Sequence, residues 1–232
     1  MVKNKENVSA AMQEYLAVAY RLSCQQEDSV FVSTSALAQA MGVSAPAVTR
    51  MVQRLKDRSF LEHQLYQGIS LTPEGIREAL ANIRRHRLVE RFLVDVMRFE
   101  WYEVHDVTDD FEPVVADIVV KRMEEMAGKP RRCPHGEPIP TEDGTMPAVR
   151  DTALAEVEIG AEYVISRVMT HDAEKLKYLG VLGLKPGATF QLVERAPFEG
   201  PLQLRVGEQT HFIGEALANV LRVCSQKEFD AV

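Results

Sequence analysis

The sequence predicts an α+β protein, with a winged helix-turn-helix, further helices and a small β-rich domain in that order. Three patterns predict this class. Apolar residues recur at helical spacing up to about residue 126, and a glycine-bearing hairpin pattern interrupts them at 60–72. Short apolar runs bounded by glycines follow residue 150. The chain has 232 residues, 46% hydrophobic and 26% charged, which is enough for two or three small domains.

The first helices pair around a tight turn. Apolar spacing predicts helices at 11–22, 33–40 and 45–55. Gly42 tolerates the left-handed backbone that ends a helix, and Ser44 is a candidate N-cap for the next one. A helix, a glycine turn, a second helix and a hairpin follow the order of a winged helix-turn-helix, whose second paired helix enters the major groove of DNA.

The third predicted helix carries a local basic stretch within a molecule whose net charge is −7. An isolated basic run is more often the solvated face of a core helix, but the adjoining turn and hairpin favour DNA binding. The candidates for the major groove are Ser44, Pro46, Thr49 and Arg50. Arg54 and the hairpin residue Tyr66 are expected nearer the phosphates and sugars.

Further helices are predicted after the hairpin. The motif Thr72-Pro73 begins a long helix that reaches about Phe99, and two more helices follow at 103–112 and 114–126. Pro113 separates these two helices, because the residue before a proline resists helical geometry. Residues 128–150 are rich in proline and glycine and are predicted to form a linker or an extended surface segment.

Candidate metal ligands lie on the long helix and in this linker. His86 and Glu90 are four residues apart, so their side chains leave one face of the helix and can share a cation. Cys133-Pro134-His135 holds a thiol and an imidazole close together. The alternative is ordinary surface for the first pair, and a buried cysteine beside a surface histidine for the second.

A second candidate set is acidic. Asp109 and Glu112 are three residues apart on one helical face, and Glu14 lies on the first helix. Acidic helix residues are usually solvated, whereas carboxylates clustered across two helices repel one another unless a cation lies between them.

Composition predicts a cytoplasmic protein. No run approaches the ~20 apolar residues that cross a bilayer, and the first six residues lead into no apolar signal core. Cys24, Cys133 and Cys224 form an odd, scattered set that argues for reduced thiols rather than a disulfide framework.

Several of these motifs resemble the DtxR/MntR family of metalloregulators. They are Ala-Gln-Ala-Met-Gly-Val-Ser-Ala-Pro-Ala-Val-Thr-Arg-Met-Val at 38–52, Leu-Thr-Pro-Glu-Gly at 71–75, Arg-His-Arg-Leu-Val-Glu-Arg-Phe-Leu at 85–93, Val-His-Asp at 104–106, Cys-Pro-His-Gly at 133–136 and Tyr-Leu-Gly-Val-Leu-Gly-Leu-Lys-Pro-Gly at 178–187. They span nearly the whole chain, and their order is more specific than any one of them.

The resemblance implies three domains. These are a winged helix-turn-helix DNA-binding domain at 1–75, a helical dimerisation and metal-binding domain with the linker at 76–150, and an SH3-like β-barrel similar to FeoA at 151–232. It also implies two metal sites. One matches Glu14, Asp109 and Glu112; the other matches the helix residues His86, Glu90 and His105, the linker residues Cys133 and His135, and Asp172 of the C-terminal domain.

One departure from the family pattern is plain. The family commonly follows the glutamate matching Glu112 with a histidine ligand, and this sequence has Pro113, which cannot coordinate a metal. Glu14 stands where iron-sensing members resemble one another in having methionine. The expected metal is therefore Mn²⁺, with Fe²⁺ as the alternative.

The function implied is a homodimeric, metal-dependent repressor that binds a palindromic operator in double-stranded DNA and controls metal-homeostasis genes. One alternative is a metal-independent winged-helix regulator that responds to a small organic ligand; activation in place of repression is another. A metalloenzyme is disfavoured, because the sequence has no His-Glu-x-x-His, Gly-x-Ser-x-Gly or phosphate-loop motif.

Overall fold

The computed structural model describes residues 8–26 and 29–232. Residues 1–7, on which the expectation of no leader peptide partly rests, lie outside the described residues. The chain divides into two compact units, the first made of residues 1–85 with 140–145 and the second of residues 86–139 with 146–232.

The first unit contains the predicted helices and hairpin. Its helices are α1 (Ala10–Cys24), α2 (Thr34–Met41) and α3 (Ala45–Asp57), followed by the antiparallel strands β1 (Leu61–Gln64) and β2 (Gly68–Leu71). Gly42 ends α2 at a φ of +63°, in the left-handed region expected for this turn.

Apolar faces of the three helices and the hairpin meet in one core. Leu16 from α1, Leu37 from α2, Val48 from α3 and Ile69 from β2 are all buried in it. Val32 adds a backbone bridge to Ile69. Because Val48, Val52 and Leu55 of α3 are buried in this core, the opposite face of the helix points outward.

The long helix α4 (Pro73–Asp95) follows the hairpin, and the division between the two units falls within it. It ends before Phe99, the predicted end. In the second unit α5 (Val104–Phe111) leads into a single 3₁₀ turn, Glu112–Val114, and then α6 (Asp117–Met126). The predicted break at Pro113 is present, but α6 begins later than Val114, because Val115 has an extended backbone.

A six-stranded antiparallel sheet completes the second unit. Its strands are β3 (Thr152–Ala153), β4 (Glu162–Val168), β5 (Thr189–Arg195), β6 (Leu202–Val206), β7 (Gln209–Ile213) and β8 (Leu221–Cys224), in the order β3-β8-β4-β5-β6-β7. The predicted α+β class is confirmed. The expected barrel needs one correction, because within the described chain the sheet is open, with β3 and β7 at its edges.

Three short helices in the second unit were not predicted. They are α7 (Ala173–Val181), α8 (Glu215–Ala218) and α9 (Gln226–Asp230). Only α7 exceeds one and a half turns, and Gly180 near its end weakens the helical pattern. Leu176 and Leu179 of α7 are buried in the core of the sheet, which stabilises the helix by packing.

The proline-rich segment is less superficial than predicted. Residues 133–136 are buried, although the absence of periodicity indicated a surface linker. Backbone hydrogen bonds organise the segment: the amide of Cys133 donates to the carbonyl of Glu137 at 2.8 Å, and the amide of Ile139 donates to Arg131 at 2.8 Å. Paired backbone groups let an irregular segment be buried.

Of the helices in the described ranges, not one is long and apolar enough to span a membrane.

A buried carboxylate joins the strands next to this segment. The side chain of Asp151 is 2% exposed and accepts hydrogen bonds from Arg167, at 2.7 and 2.8 Å, and from Arg222, at 3.1 Å. Burial alone would raise the pKa of Asp151, but the hydrogen bonds from the two arginines outweigh it and hold the pKa below its ordinary value.

We predict that Asp151→Asn lowers the free energy of unfolding of the second unit. The variant should also lose less of that free energy than the wild type when the pH is lowered. The stabilisation is present above the unfolded-state pKa of about 4 and is lost as the pH falls through the lower folded-state value. At neutral pH the substitution should cost about 3 kcal/mol, because it leaves two arginines with a neutral partner. Urea unfolding followed by the fluorescence of Trp101, the single tryptophan, measures this. Glu162→Gln, an exposed change on β4, is the control. Equal losses between pH 5 and pH 2 in Asp151→Asn and wild type would contradict the assignment.

Candidate metal centre and nucleic-acid interface

The candidate metal centre begins on α4. His86 and Glu90 lie one helical turn apart on its inward face, and Nε2 of His86 is 3.3 Å from Oε1 of Glu90. The side chain of Glu90 is only 2% exposed. A carboxylate at this depth needs compensating positive charge or hydrogen bonds.

A second histidine reaches this carboxylate from α5. Nδ1 of His105 is 3.1 Å from Oε1 of Glu90 and 3.3 Å from Nε2 of His86. The two imidazole rings meet edge to face, with centroids 5.2 Å apart. The structure therefore brings together His86, Glu90 and His105, which the family resemblance assigns to one site.

The buried segment supplies the third side of the centre. The amide of Gly136 donates to the carbonyl of Cys133 at 2.9 Å, which closes a turn over Cys133-Pro134-His135. Arg132 also donates to the carbonyl of Gly136, at 2.7 Å. This turn points the thiol and the imidazole inward, and together with Glu90 they place one ligand atom each within 4.8 Å of one another.

The orientation of His135 leaves one nitrogen directed at the centre. Its Nε2 is 3.0 Å from the carbonyl oxygen of Trp101, so this nitrogen carries the proton and donates it. Its Nδ1 is buried, has no hydrogen-bond partner among the described residues and lies 3.8 Å from Glu90. Burial lowers the pKa of His135, so the ring is neutral and offers Nδ1 as a lone-pair donor.

Two groups of ligand atoms thus share one carboxylate. His86, Glu90 and His105 form the first, and Glu90, Cys133 and His135 form the second. Imidazoles, a carboxylate and a thiol are donors that divalent transition metals accept. The lone pair of His135 Nδ1 is a buried polar atom that a cation would satisfy, so the residues fit a metal ion.

Protons and imidazoles balance the charge of this centre. Burial alone would raise the pKa of Glu90, but hydrogen bonds from His105 and His86 hold it well below its ordinary value. Burial alone would lower the pKa of His86, but hydrogen bonds to Glu112 and Glu90 raise it to about 9. Burial, reinforced by the Glu90 carboxylate, raises the pKa of the Cys133 thiol to about 12.

Two residues of the acidic set, Asp109 and Glu112, lie close to His86. Oε2 of Glu112 is 3.0 Å from Nδ1 of His86, and the exposed Asp109 lies 3.8 Å from the same atom. The 3₁₀ turn at Pro113 leaves Glu112 facing His86, which the sequence did not indicate. Glu14 is exposed on α1, in the other unit, and its assignment to a metal site stays a prediction.

Asp172 has a local structural role. Its Oδ1 accepts from the amides of Glu174 and Lys175, both at 3.1 Å, and so caps α7. The preceding residue, His171, stacks on the ring of His105 with centroids 3.8 Å apart. The sequence does not single out His171, because no spacing in it connects this residue with the other histidines.

The candidate DNA-contacting residues share an exposed surface of the first unit. Ser44 is the N-cap of α3 and makes no side-chain cap hydrogen bond. Pro46, Thr49, Arg50 and Arg54 are exposed on the face opposite the core. Sequence reasoning missed Gln53, which is exposed on the same face and donates to Asp57 at 2.7 Å. Its spacing of four residues from Thr49 was the available signal.

The tip of the hairpin is apolar and uncharged. Tyr66 is 98% exposed and has a φ of +68°, and the neighbouring Leu65 is also exposed. No lysine or arginine occurs between residues 60 and 71. A wing of this composition offers a nucleic acid apolar contact rather than charge.

Three family models match consecutive parts of the chain. The N-terminal DNA binding domain of iron dependent repressors matches residues 7–69, and the metal binding and dimerisation domain of the same proteins matches residues 72–141. The FeoA domain matches residues 152–223.

Solved structures of regulators have the same fold. A manganese-dependent transcriptional repressor in complex with manganese is 31% identical, with a TM-score of 0.81, over 92% of this chain and 99% of that one. The manganese regulator SloR is 30% identical, with a TM-score of 0.70, over 93% and 98%. ScaR with bound Zn²⁺ is 28% identical, with a TM-score of 0.73, over 92% and 99%.

Curated relatives bear repressor names. The diphtheria toxin repressor of Corynebacterium glutamicum is 32% identical over 126 residues, a match that spans about half of each protein, 54% of both. The iron-dependent repressor IdeR of Mycobacterium tuberculosis is 28% identical over 90% of this chain and 94% of its own length.

A winged helix, a helical segment with a buried carboxylate–imidazole–thiol cluster and an FeoA-type sheet define the class of metal-dependent, DNA-binding transcriptional repressors. Within this class the chain belongs to the diphtheria toxin repressor (DtxR) family of iron- and manganese-dependent regulators.

We predict that Gly136→Ala disrupts the turn that presents Cys133 and His135. Gly136 has a φ of +88°, and a Cβ there would lie 2.1 Å from the carbonyl oxygen of Ser166. Gly128→Ala is the matched control, because Gly128 has a φ of +77° and nothing within 4 Å of the added carbon. Both changes carry the cost of a left-handed alanine, about 1 kcal/mol, and Gly136→Ala should cost about 2 kcal/mol more from overpacking. Urea unfolding followed by Trp101 fluorescence compares the two; equal destabilisation would show that the turn tolerates the added carbon.

Proposed function

We propose that this protein is a manganese-responsive transcriptional repressor that binds its operator as a homodimer. The observation that carries the proposal is the buried carboxylate of Glu90, which two groups of potential metal ligands share. Family membership supports the regulatory role, and the first unit supplies a winged helix with an exposed recognition face.

The proposed ligands are the side chains of the two groups: His86, Glu90, His105, Cys133 and His135. A bound divalent cation would supply the positive charge that Glu90 now receives from the protonated His86. Cys133 must lose its proton to coordinate, and its raised pKa makes that loss unfavourable without a cation. Metal binding is therefore expected to release protons and to weaken at lower pH. We retain Glu14, Asp109 and Glu112 as proposed ligands of a second site, with Glu112 close enough to His86 to serve the first.

Mn²⁺ is the proposed metal, and Fe²⁺ is the alternative. The carboxylate and imidazoles favour Mn²⁺, whereas the single thiol favours softer ions. The structural relatives support the same order, since one is a manganese-dependent repressor in complex with manganese. Several relatives by sequence are named iron-dependent repressors, which keeps Fe²⁺ in the comparison.

The dimer is proposed from the helical part of the second unit. Val114 and Ile118, in the 3₁₀ turn and α6, are 80% and 79% exposed, and Val119 and Met126 on α6 are exposed as well. Exposed apolar side chains grouped on one segment mark an interaction surface. This segment lies within the match to a dimerisation domain, so a second copy of the chain is the proposed partner.

A two-fold dimer carries two recognition helices, and its operator is therefore expected to be palindromic, with half-sites about one helical turn apart. We propose that the protein acts in the cytoplasm and has no catalytic role, as expected for a member of a repressor family.

Selection of random duplex DNA tests the function directly. Purified protein is incubated with the library in Mn²⁺ or in a chelator, at one salt concentration, because phosphate contacts are salt-sensitive. We expect a palindromic site enriched only with Mn²⁺, and affinity for that site raised at least about tenfold by the metal. Glu90→Gln should abolish the metal effect, whereas the exposed Glu208→Gln, in the β6–β7 turn, should preserve it.

The other outcomes select among the alternatives. Equal enrichment in both arms would favour a metal-independent regulator of an organic ligand. No enrichment would contradict DNA recognition by the winged helix. A non-palindromic site would contradict the symmetric dimer.

Salt dependence of operator binding separates the roles of helix and wing. Removing a phosphate contact reduces the slope of log affinity against log salt by about 1. We predict that Arg54→Ala lowers both the affinity and this slope. Tyr66→Ala should lower the affinity by about tenfold with an unchanged slope, because the side chain that is removed carries no charge. Fluorescence anisotropy at four salt concentrations measures both quantities. A reduced slope for Tyr66→Ala, or an unchanged affinity, would exclude an apolar wing contact.

A further inference from the structure

His171 lies in the turn that leads from β4 to α7, next to the carboxylate that the family pattern assigns to the metal. That carboxylate, on Asp172, is occupied locally: Oδ1 accepts two amides of α7, and Oδ2 lies 3.7 Å from Nζ of Lys175. Its side chain is 47% exposed. The residue of this segment whose ring contacts the candidate ligands is His171.

One imidazole contacts a ring from each ligand group. The ring of His171 stacks on His105 with centroids 3.8 Å apart and an interplanar angle of 21°. It meets His135 edge to face, with centroids 5.3 Å apart. His105 belongs to the group with His86, and His135 belongs to the group with Cys133. The side chain of His171 thus contacts both groups.

The stacked geometry argues against coordination by His171 itself. An imidazole nitrogen binds a metal through a lone pair that lies in the plane of its ring. Because the rings of His171 and His105 are nearly parallel and stacked, a cation in the plane of one ring lies well out of the plane of the other. His171 also belongs to neither of the groups of converging ligand atoms found among the described residues.

We propose that His171 is a positioning residue of the metal centre, which acts through aromatic stacking on His105 and not through its nitrogens. The stacked ring restricts rotation of His105, whose Nδ1 must face Glu90 and His86. The edge contact restrains His135 in the same way. A ligand that is already held in place loses less conformational freedom when it binds a cation. This inference rests on the proposed metal-dependent function.

The test compares three variants in a titration with Mn²⁺ alone, without DNA. His171→Ala removes the ring, His171→Phe keeps a stacking ring without nitrogens, and Asp172→Asn removes the carboxylate charge while asparagine still caps α7. Competition with a fluorescent chelator measures affinity. Absorption of the Co²⁺-loaded proteins reports the ligand set, and Trp101 fluorescence in urea checks that each variant is folded.

We expect His171→Ala to weaken Mn²⁺ binding by about tenfold, as is usual when a residue that supports a ligand is lost. His171→Phe should restore affinity to within about threefold of wild type and leave the Co²⁺ spectrum unchanged. Asp172→Asn should bind nearly as well as wild type.

Several results would overturn the proposal. Equal losses in His171→Phe and His171→Ala would show that a nitrogen of His171 acts, as a ligand or a hydrogen-bonding group. Unchanged Mn²⁺ affinity in His171→Ala would show that the ring of His171 does not support the metal centre. A tenfold loss of affinity confined to Asp172→Asn would show that the carboxylate supports it instead. Failure of the wild-type chain to bind Mn²⁺ or Co²⁺ would instead contradict the proposed function itself, which separates the two hypotheses.

Discussion

The buried carboxylate of Glu90 is the constraint on which the candidate metal centre depends. An ionised carboxylate that is 2% exposed is stable only beside positive charge or strong donors, and the imidazoles of His86 and His105 lie 3.3 and 3.1 Å from it. Those imidazoles come from α4 and α5, while the turn at 133–136 directs the lone pair of His135 Nδ1 toward the same carboxylate. The need to compensate one charge therefore determines how these elements pack, and it gives a divalent cation and a set of protons the same role at one position.

Under the proposed function, exchange between protons and a cation would give this centre the character of a switch. His86, whose pKa is raised to about 9, links Glu90 with Glu112 through its protonated ring. The Cys133 thiol keeps its proton because burial raises its pKa to about 12. Under the proposed function, a cation would have to displace the thiol proton and the proton between His86 Nε2 and Glu90, so the affinity for the metal would be set by the difference between two compensated states. Such a difference is small compared with either interaction alone, which suits a sensor that must release its metal.

The sequence predicts the helices and strands of this protein better than it predicts which of their side chains are in contact. The spacing of apolar residues predicts α1 to α3 and the hairpin, and a four-residue spacing places His86 beside Glu90. Whether Glu112 meets His86 depends on a single 3₁₀ turn between helices. Pro113 predicted a break between two helices and the absence of one ligand, but not that the turn at this break directs Glu112 to His86 at 3.0 Å. Contacts of this kind depend on tertiary packing, which local patterns do not record.

The neighbours His171 and Asp172 show why the ligand positions of a family are harder to assign to single residues of this chain than its fold is. Helix α7 leaves its first amides without partners, and Asp172 satisfies two of them. These two hydrogen bonds hold the carboxylate through Oδ1 and so restrict the directions in which Oδ2 can reach a cation. The N-cap of α7 is Asp172, whereas the ring of His171 stacks on His105. Under our proposal, the orientation that the cap gives Asp172 makes His171 the neighbour that supports the candidate metal centre, and this depends on backbone geometry rather than on residue type.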